Sequence, residues 1–386
     1  MRKNILIVGE ALDLYRTQTF MKCVMDNYQL FNLTYISAKP YYKLSGNPLI
    51  CFIQKIKRRT HLIIRDIFIL YQFLHADLVY FPAMFVHFRI LKAAIFFKKK
   101  ILAEYYISMF DTLALDRKTY SEHSVTAQRY KEFDTLLQKH SRAIYLNLTE
   151  ARRYAALCQL NLDDLDYTII PLCVKERTKA LLYYYSHKDT PFNIVWWGTY
   201  IPLHGLEKII LAIKAVVKKD ENCHLYIFGN NDEAAEPYGR IIAENGLTNH
   251  ITIRNDVTFY NGKLEKFLTE HCALSMGVFG DSEKARSVIV NKAVEAAGMK
   301  IPILTQHSEA FSEFFQDGRS IFMCEPSIEV IADNILSIKS MTVAEVEHIV
   351  NNSFKVFQDN FSTAAAYAAY ENLLKEYVQM PSNYIK

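Results

Sequence analysis

Three residues that could do chemistry stand close together in "ARSVIVNKAVEAAG", residues 285–298: Arg286, Lys292 and Glu295. Lys292 and Glu295 are three apart, so on a helix they share one face, and Asn291 just before them suits an N-cap. A carboxylate there can accept hydrogen bonds from two vicinal hydroxyls of a ribose. Cations near a helix N-terminus suit phosphate, and the planar fork of Arg286 can take two phosphate oxygens. The chemistry so predicted is nucleotide binding. The structural alternative is a Lys292–Glu295 surface ion pair, which contributes little to stability.

Weaker signals of the same kind follow other apolar runs. "WWGTYIPLHGLEKII" reads as a strand, a loop holding Gly198, Thr199, His204 and Gly205, and then a helix whose first N–H groups would face an anion. "LYIFGNN" supplies a second turn at Gly229, and the loop before Arg286 carries Asp281 and Glu283. In the first half, Gly9 and Glu10 follow "NILIV", and Asp111 follows "KILAEYY", with Asp116, Arg117 and Lys118 close by. These are the acceptor-side candidates, with His87 and Tyr106 fainter. Neither GxxxxGK[ST] nor GxGxxG occurs, and nothing resembles HExxH or a serine nucleophile elbow.

The elements that must hold these residues alternate along the chain. "NILIVG", "NLTYISA", "DLVYFPA", "KILAEYY", "RAIYLNL" and "YTIIPL" are short apolar runs separated by helical periodicity, the mark of buried parallel strands. After the connector "VKERTKALLYYYSHKD" the pattern restarts with "FNIVWWG", "HLYIFG", "ITIRN", "CALSMGVF" and "IPILT". Two successive βα series predict an α/β protein with two Rossmann-like domains facing each other across a cleft at the carboxyl ends of their strands. The expected bounds are 1–178 for the first domain, 179–190 for a linker, and 191–355 for the second domain. Residues 356–386, including "FSTAAAYAAYENLLKEYVQ", form a C-terminal helix expected to cross back to the first domain.

Composition narrows the setting. A chain of 386 residues suits two domains. Seven cysteines without a CxxC pair argue against a disulfide frame or a zinc ribbon. "MRKNILIVGEALD" reads as a first core strand and not as a signal peptide. The most apolar stretch, "HLIIRDIFILYQFLHADLVYF", is broken by charges and is not expected to cross a membrane. Between residues 51 and 104, ten Lys/Arg face three acids, with apolar residues interleaved. Lys55, Lys57, Arg58 and Arg59 are therefore expected to meet an anionic membrane surface. Nucleic acid is not expected, for want of any binding motif.

"VWWGTYIPLHGLEKII", "LYIFGNN" and "GVFGDSEKARSVIVNKAVEAAGMKIPILT" resemble, in order and spacing, the donor half of family-4 glycosyltransferases. "IIPLCV" resembles the segment that leads into their linker. The resemblance covers about 190–325 and implies the GT-B fold, with retaining transfer from a UDP-, dTDP- or GDP-linked sugar and no metal or other cofactor. It places Glu295 on the ribose-binding carboxylate of the family's E-x7-E motif, and Arg286 and Lys292 at the diphosphate. Ser287, or Gly277 in another alignment, stands where the first Glu of the motif would be, which moves the donor-sugar contact to Asp281 or Glu283. His204 replaces a family lysine, and its charge is expected to depend on pH. Gly9 is expected to bind the nucleotide sugar from the first domain, and Asp111 to be catalytic with Arg286 and Lys292 on the side of the acceptor, a glycan expected to be lipid-linked. The implied setting is bacterial cell-surface polysaccharide assembly (O-antigen, capsule or lipopolysaccharide), at the inner face of the cell membrane. The DxD at Asp164–Asp166 is the motif by which other glycosyltransferases hold a metal, but no strand of a Rossmann core leads into it. The alternatives are a nucleotide-sugar 2-epimerase of similar fold and a non-catalytic scaffold.

Overall fold

The computed structural model describes residues 2–10, 14–37, 47–83, 85 and 87–379. The chain forms two compact units. Unit one comprises residues 1–146, 151–170 and 367–386, and unit two comprises 147–150 and 171–366. Each is built on a six-stranded parallel sheet with the order β2-β1-β3-β4-β5-β6 or β12-β11-β10-β7-β8-β9. The strands of the first are β1 (Lys3–Val8), β2 (Phe31–Ile36), β3 (Leu78–Phe81), β4 (Lys100–Glu104), β5 (Arg142–Tyr145) and β6 (Tyr167–Ile169). Those of the second are β7 (Phe192–Trp197), β8 (Cys223–Phe228), β9 (Ile251–Ile253), β10 (Leu274–Met276), β11 (Ile303–Gln306) and β12 (Phe322–Cys324).

These runs become strands because helices cover both faces of each sheet, so neighbouring residues can all be apolar. In β7 successive side chains alternate between two cores. Ile194 and Trp196 enter one with Leu206, Ile209 and Ile213, while Val195 and Trp197 enter the other with Val294 and Ile303. In the first unit Ile5, Leu6, Ile7 and Val8 of β1 are all buried.

The first sheet ends in a buried polar knot. Glu104, the last residue of β4, accepts from Arg16 at 2.7 and 2.9 Å and from the Tyr80 hydroxyl at 3.0 Å. It also accepts from the hydroxyl of Tyr370. Tyr370 lies on the last helix, Thr363–Gln379, whose residues from Tyr367 onward group with the first unit. That part of the helix is anchored in the first unit by a hydrogen bond to a buried carboxylate.

One long helix, Pro48–His75, starts where Asn47 accepts from the amides of Leu49 and Ile50 and Pro48 takes the first turn. Among the described residues no helix is long and apolar enough to cross a membrane.

Candidate functional site

The strand order of the second sheet reverses between β7 and β10. In open α/β sheets, ligands bind at such switch points, beyond the carboxyl ends of the strands. The two loops that leave those ends are pressed together. The amide of Phe279 donates to the His204 carbonyl at 3.1 Å. Gly205 has a left-handed φ of +61°, and a Cβ there would lie 2.4 Å from the Phe279 backbone. Only glycine fits.

The helix Asn291–Gly298 brings Lys292 to this place. Its side chain is buried, at 4% exposure, yet among the described residues its ammonium has no hydrogen-bond partner. The nitrogen stands 4.0 Å from the centre of the Trp196 ring, a cation–π contact. Burial pushes the Lys292 pKa well below the usual lysine value, and the nearby charge of Glu295 pulls the other way. A Cβ on Gly198 would sit 3.5 Å from the Lys292 nitrogen and 3.4 Å from His204 Cε1. The bare backbone at Gly198 therefore borders His204 and Lys292, and Lys292 is the one able to meet an anion.

One helical turn on, Glu295 accepts from the indole N–H of Trp197 at 2.8 Å. Burial raises its pKa, while Trp197, Arg177 and Lys292 oppose the rise in that order. Arg177 lies 3.7 Å from the centre of the Phe259 ring and donates to Glu265 at 3.1 Å. Glu295 and Lys292 are therefore not a solvated surface pair: each is held in place by its own tryptophan.

His204 corrects an expectation. It is buried, and desolvation first and the Lys292 charge second bring its pKa down to about 2. The imidazole stays neutral at physiological pH, with no charge to switch. Its Nδ1 lies 2.9 Å from the Thr199 carbonyl, which can only accept, so the proton is on Nδ1 and Nε2 is bare.

The other residues singled out from the sequence are scattered in role. Arg286 is exposed on the short helix Glu283–Ser287, of which Glu283 is the exposed first residue. Asp281 is exposed and ion-paired with Lys208. Asn291 is exposed and begins its helix, but the cap is Val290, whose extended backbone takes that position without a side-chain bond; the expected Asn cap is absent. The hydroxyl of buried Ser287 donates to the Lys284 carbonyl at 3.1 Å. A Cβ on Gly277 would meet Thr305 Oγ1 at 2.5 Å, so neither position aligned with the family's first Glu presents a carboxylate. Gly229 lies against the ring of Tyr200, and the side chain of Thr199 is exposed.

In the first unit, Gly9 ends β1 against Pro82, and its carbonyl accepts from Tyr35 at 3.0 Å. Asp111 is fully buried and is bound by both terminal nitrogens of Arg153, one of them at 3.2 Å. Its carboxylate is thus occupied. Asp166 of the DxD accepts from Arg142 at 2.7 Å. Lys55, Lys57, Arg58 and Arg59 are all exposed on the helix Pro48–His75.

Residues 191–340 match the family model described as "Glycosyl transferases group 1". The matched residues lie within the second unit. No curated protein matches the chain. Among solved structures, a glycosyltransferase from Rickettsia africae aligns at 13% identity and a TM-score of 0.63, covering 98% of this chain and 100% of that one. HepE from Anabaena, solved with UDP, aligns at 11% identity and 0.62, covering 97% and 100%. The sucrose-phosphate synthase of Thermosynechococcus elongatus aligns at 12% identity and 0.66, covering 97% and 99%. At such identities these likenesses speak for the fold, which is GT-B.

Trp196, Trp197 and Arg177 belong to the site and were not singled out from the sequence. The signal for the tryptophans was available: two indoles end a strand just before the Gly198 loop. For Arg177, in the connector, there was none.

Proposed function

We propose that the chain transfers a sugar from a nucleoside-diphosphate sugar to a glycan acceptor, with retention of anomeric configuration. The observation that carries this reading is the buried ammonium of Lys292, without a hydrogen bond among the described residues, beside the Gly198 loop at the switch point. A cation kept out of water without a hydrogen-bonding partner is costly, and a diphosphate would return both its charge and its contacts. Departure of the nucleoside diphosphate collects negative charge on the phosphates, and a preorganised cation stabilises that charge most in the transition state. Glu295, oriented by Trp197, is assigned to the ribose hydroxyls, and exposed Arg286 to the outer phosphate. In this reading the protein's own cations neutralise the leaving group and no metal is required. The family match over 191–340 favours a transferase over a nucleotide-sugar 2-epimerase or a scaffold.

The first unit is assigned the acceptor, proposed to be a lipid-linked glycan of cell-surface polysaccharide assembly. UDP is the first base to try, because HepE from Anabaena was solved with UDP and with UDP-glucose.

Calorimetry with UDP, GDP and dTDP tests the donor site. One of them should bind, and Glu295→Gln should weaken it about 10- to 100-fold, the worth of a charged hydrogen bond. Equal affinity in a folded Glu295→Gln protein refutes the ribose assignment. Turnover that vanishes in EDTA and returns with Mg²⁺ refutes the metal-free mechanism.

A further inference from the structure

Of the long helix Pro48–His75, only Ile69 and Phe73 are buried. Leu49, Ile53, Ile56, Ile63, Ile67 and Leu74 all face solvent, Leu49 at 69% and Ile67 and Leu74 at 61% exposure. At 3.6 residues per turn these positions fall on one side, and with their apolar neighbours they span roughly 160° of the circumference. Lys57 falls just inside one edge of that stripe and Arg59 just outside the other, both exposed. The helix has a single acid, Asp66, and Arg65 already binds it at 2.5 and 3.0 Å. An apolar stripe edged by cations is the pattern of a helix lying in a membrane interface.

The inner side of the same helix adds a second observation. Arg65 and Asp66 line a cavity of about 410 Å³ together with Arg89 and Arg129. Three helices, Pro48–His75, Phe88–Phe96 and Val125–His140, each bring one arginine to its wall, Arg89 and Arg129 exposed, against the one carboxylate. The last two helices begin at the cavity, and the first turn of Phe88–Phe96 has no side-chain cap. Positive charges gathered from three elements favour an anion among them, and helix N-termini favour the same sign. Phe88 and Phe133 make part of the wall apolar.

We propose that Pro48–His75 lies in the plane of an anionic bilayer, its apolar stripe at the acyl boundary and the three-arginine cavity holding a lipid phosphate. A second copy of the chain is the rival occupant, since Leu49, Ile53, Ile56, Ile63, Ile67 and Leu74 also fit a heptad seam. Exposed Ile64, Phe68 and Tyr71 make the stripe wider than such a seam. Its flanking cations would also find on a partner helix only Asp66, which Arg65 already binds. This proposal goes beyond sugar transfer and does not depend on the donor site. It also moves the weight of membrane attachment from Lys55, Lys57, Arg58 and Arg59 to the apolar residues between them.

Flotation of the full chain with vesicles tests it. Wild type should float weakly with phosphatidylcholine vesicles and more strongly when they contain phosphatidic acid. High salt should remove the difference but not the binding. Ile63→Ser/Ile67→Ser/Leu74→Ser should partition at least about 100-fold more weakly at every salt concentration. Arg89→Gln/Arg129→Gln should keep the binding to phosphatidylcholine and lose about 10-fold of the preference for phosphatidic acid. Both variants should melt and bind nucleotide as wild type does, so failure here is distinct from failure of the donor assignment. The proposal falls if wild type never floats, or if the triple variant floats like wild type. It also falls if wild type is a dimer that the triple variant makes monomeric. Phosphatidic acid preference that survives the arginine changes, or that micromolar inorganic phosphate abolishes, overturns the lipid-phosphate seat.

Discussion

At the end of β4, Glu104 is buried and accepts hydrogen bonds from Arg16, Tyr80 and Tyr370. In the second unit Lys292 is as deeply buried, yet among the described residues its ammonium has an aromatic ring for company and no hydrogen bond. Both are charged groups taken out of water, a cost offset only by good partners. The first has them within the fold and serves the fold. The second lacks them, and the missing partner is what a ligand would supply. Burial of a charge thus says little about function until its partners are counted.

Removing the paired charge should have the largest effect. Glu104→Ala takes the carboxylate away from the buried Arg16 guanidinium, and breaking a buried pair costs about 3–5 kcal/mol. The loss should appear as a lower urea midpoint, with nucleotide affinity unchanged in whatever protein remains folded. A midpoint within error of wild type would erase the contrast between the two clusters.

Lys292→Met should do the opposite. Methionine fills a similar volume without a charge to desolvate, so the fold should gain about 1–4 kcal/mol while turnover falls about 100- to 1,000-fold. The sign with pH follows from burial. The folded pKa of Lys292 lies below its unfolded value of about 10.4, so below that pH the unfolded chain binds a proton that the folded one resists. Folding is penalised at pH 7, and the penalty fades as pH rises towards 10.4. The gain in melting temperature from Lys292→Met should therefore be present at pH 7 and shrink in alkali. A variant less stable than wild type at pH 7 means that the amine is structural after all.

Arg286 sharpens the comparison from outside. It is exposed, so water and salt screen whatever it does. Arg286→Ala should cost only about 10-fold in turnover, the low end for one charged hydrogen bond, and the cost should shrink with added salt. A larger loss than that of Lys292→Met would reverse the ranking of the two cations.

How much of this was legible beforehand depended on the range of the contact. The strands could be read because each is a bounded apolar run, and the shared face of Lys292 and Glu295 because three positions make one helical turn. What lay beyond was set by residues distant in sequence. Trp197 reaches Glu295 across 98 positions, and Arg153 claims Asp111 across 42. The neutrality of His204 comes from burial beside Lys292, and no local pattern shows that. Along Pro48–His75 the cations were evident, but the exposure of the apolar residues among them appears only once the helix is seen to bury two side chains.

The smallest expected effect concerns Trp197. Its indole N–H, 2.8 Å from Glu295, is the strongest of the influences that hold the carboxyl pKa down against burial. Phenylalanine keeps an aromatic ring in the core and removes only the donor. Without it the pKa of Glu295 should rise further, because the charged form loses the bond that favoured it. Ribose hydroxyls are held best by the ionised carboxylate, so nucleotide affinity should fall on the acid side in both proteins. In Trp197→Phe that fall should begin at a higher pH. At the alkaline end of the titration, where the profiles level off, the loss should be no more than about 0.5–1.5 kcal/mol, one ordinary hydrogen bond's worth of orientation. Calorimetric titration of the preferred nucleoside diphosphate from pH 5 to 8 measures both quantities. Superimposable pH profiles would show that the indole packs beside Glu295 without tuning it, and the ribose assignment would then rest on Glu295→Gln alone.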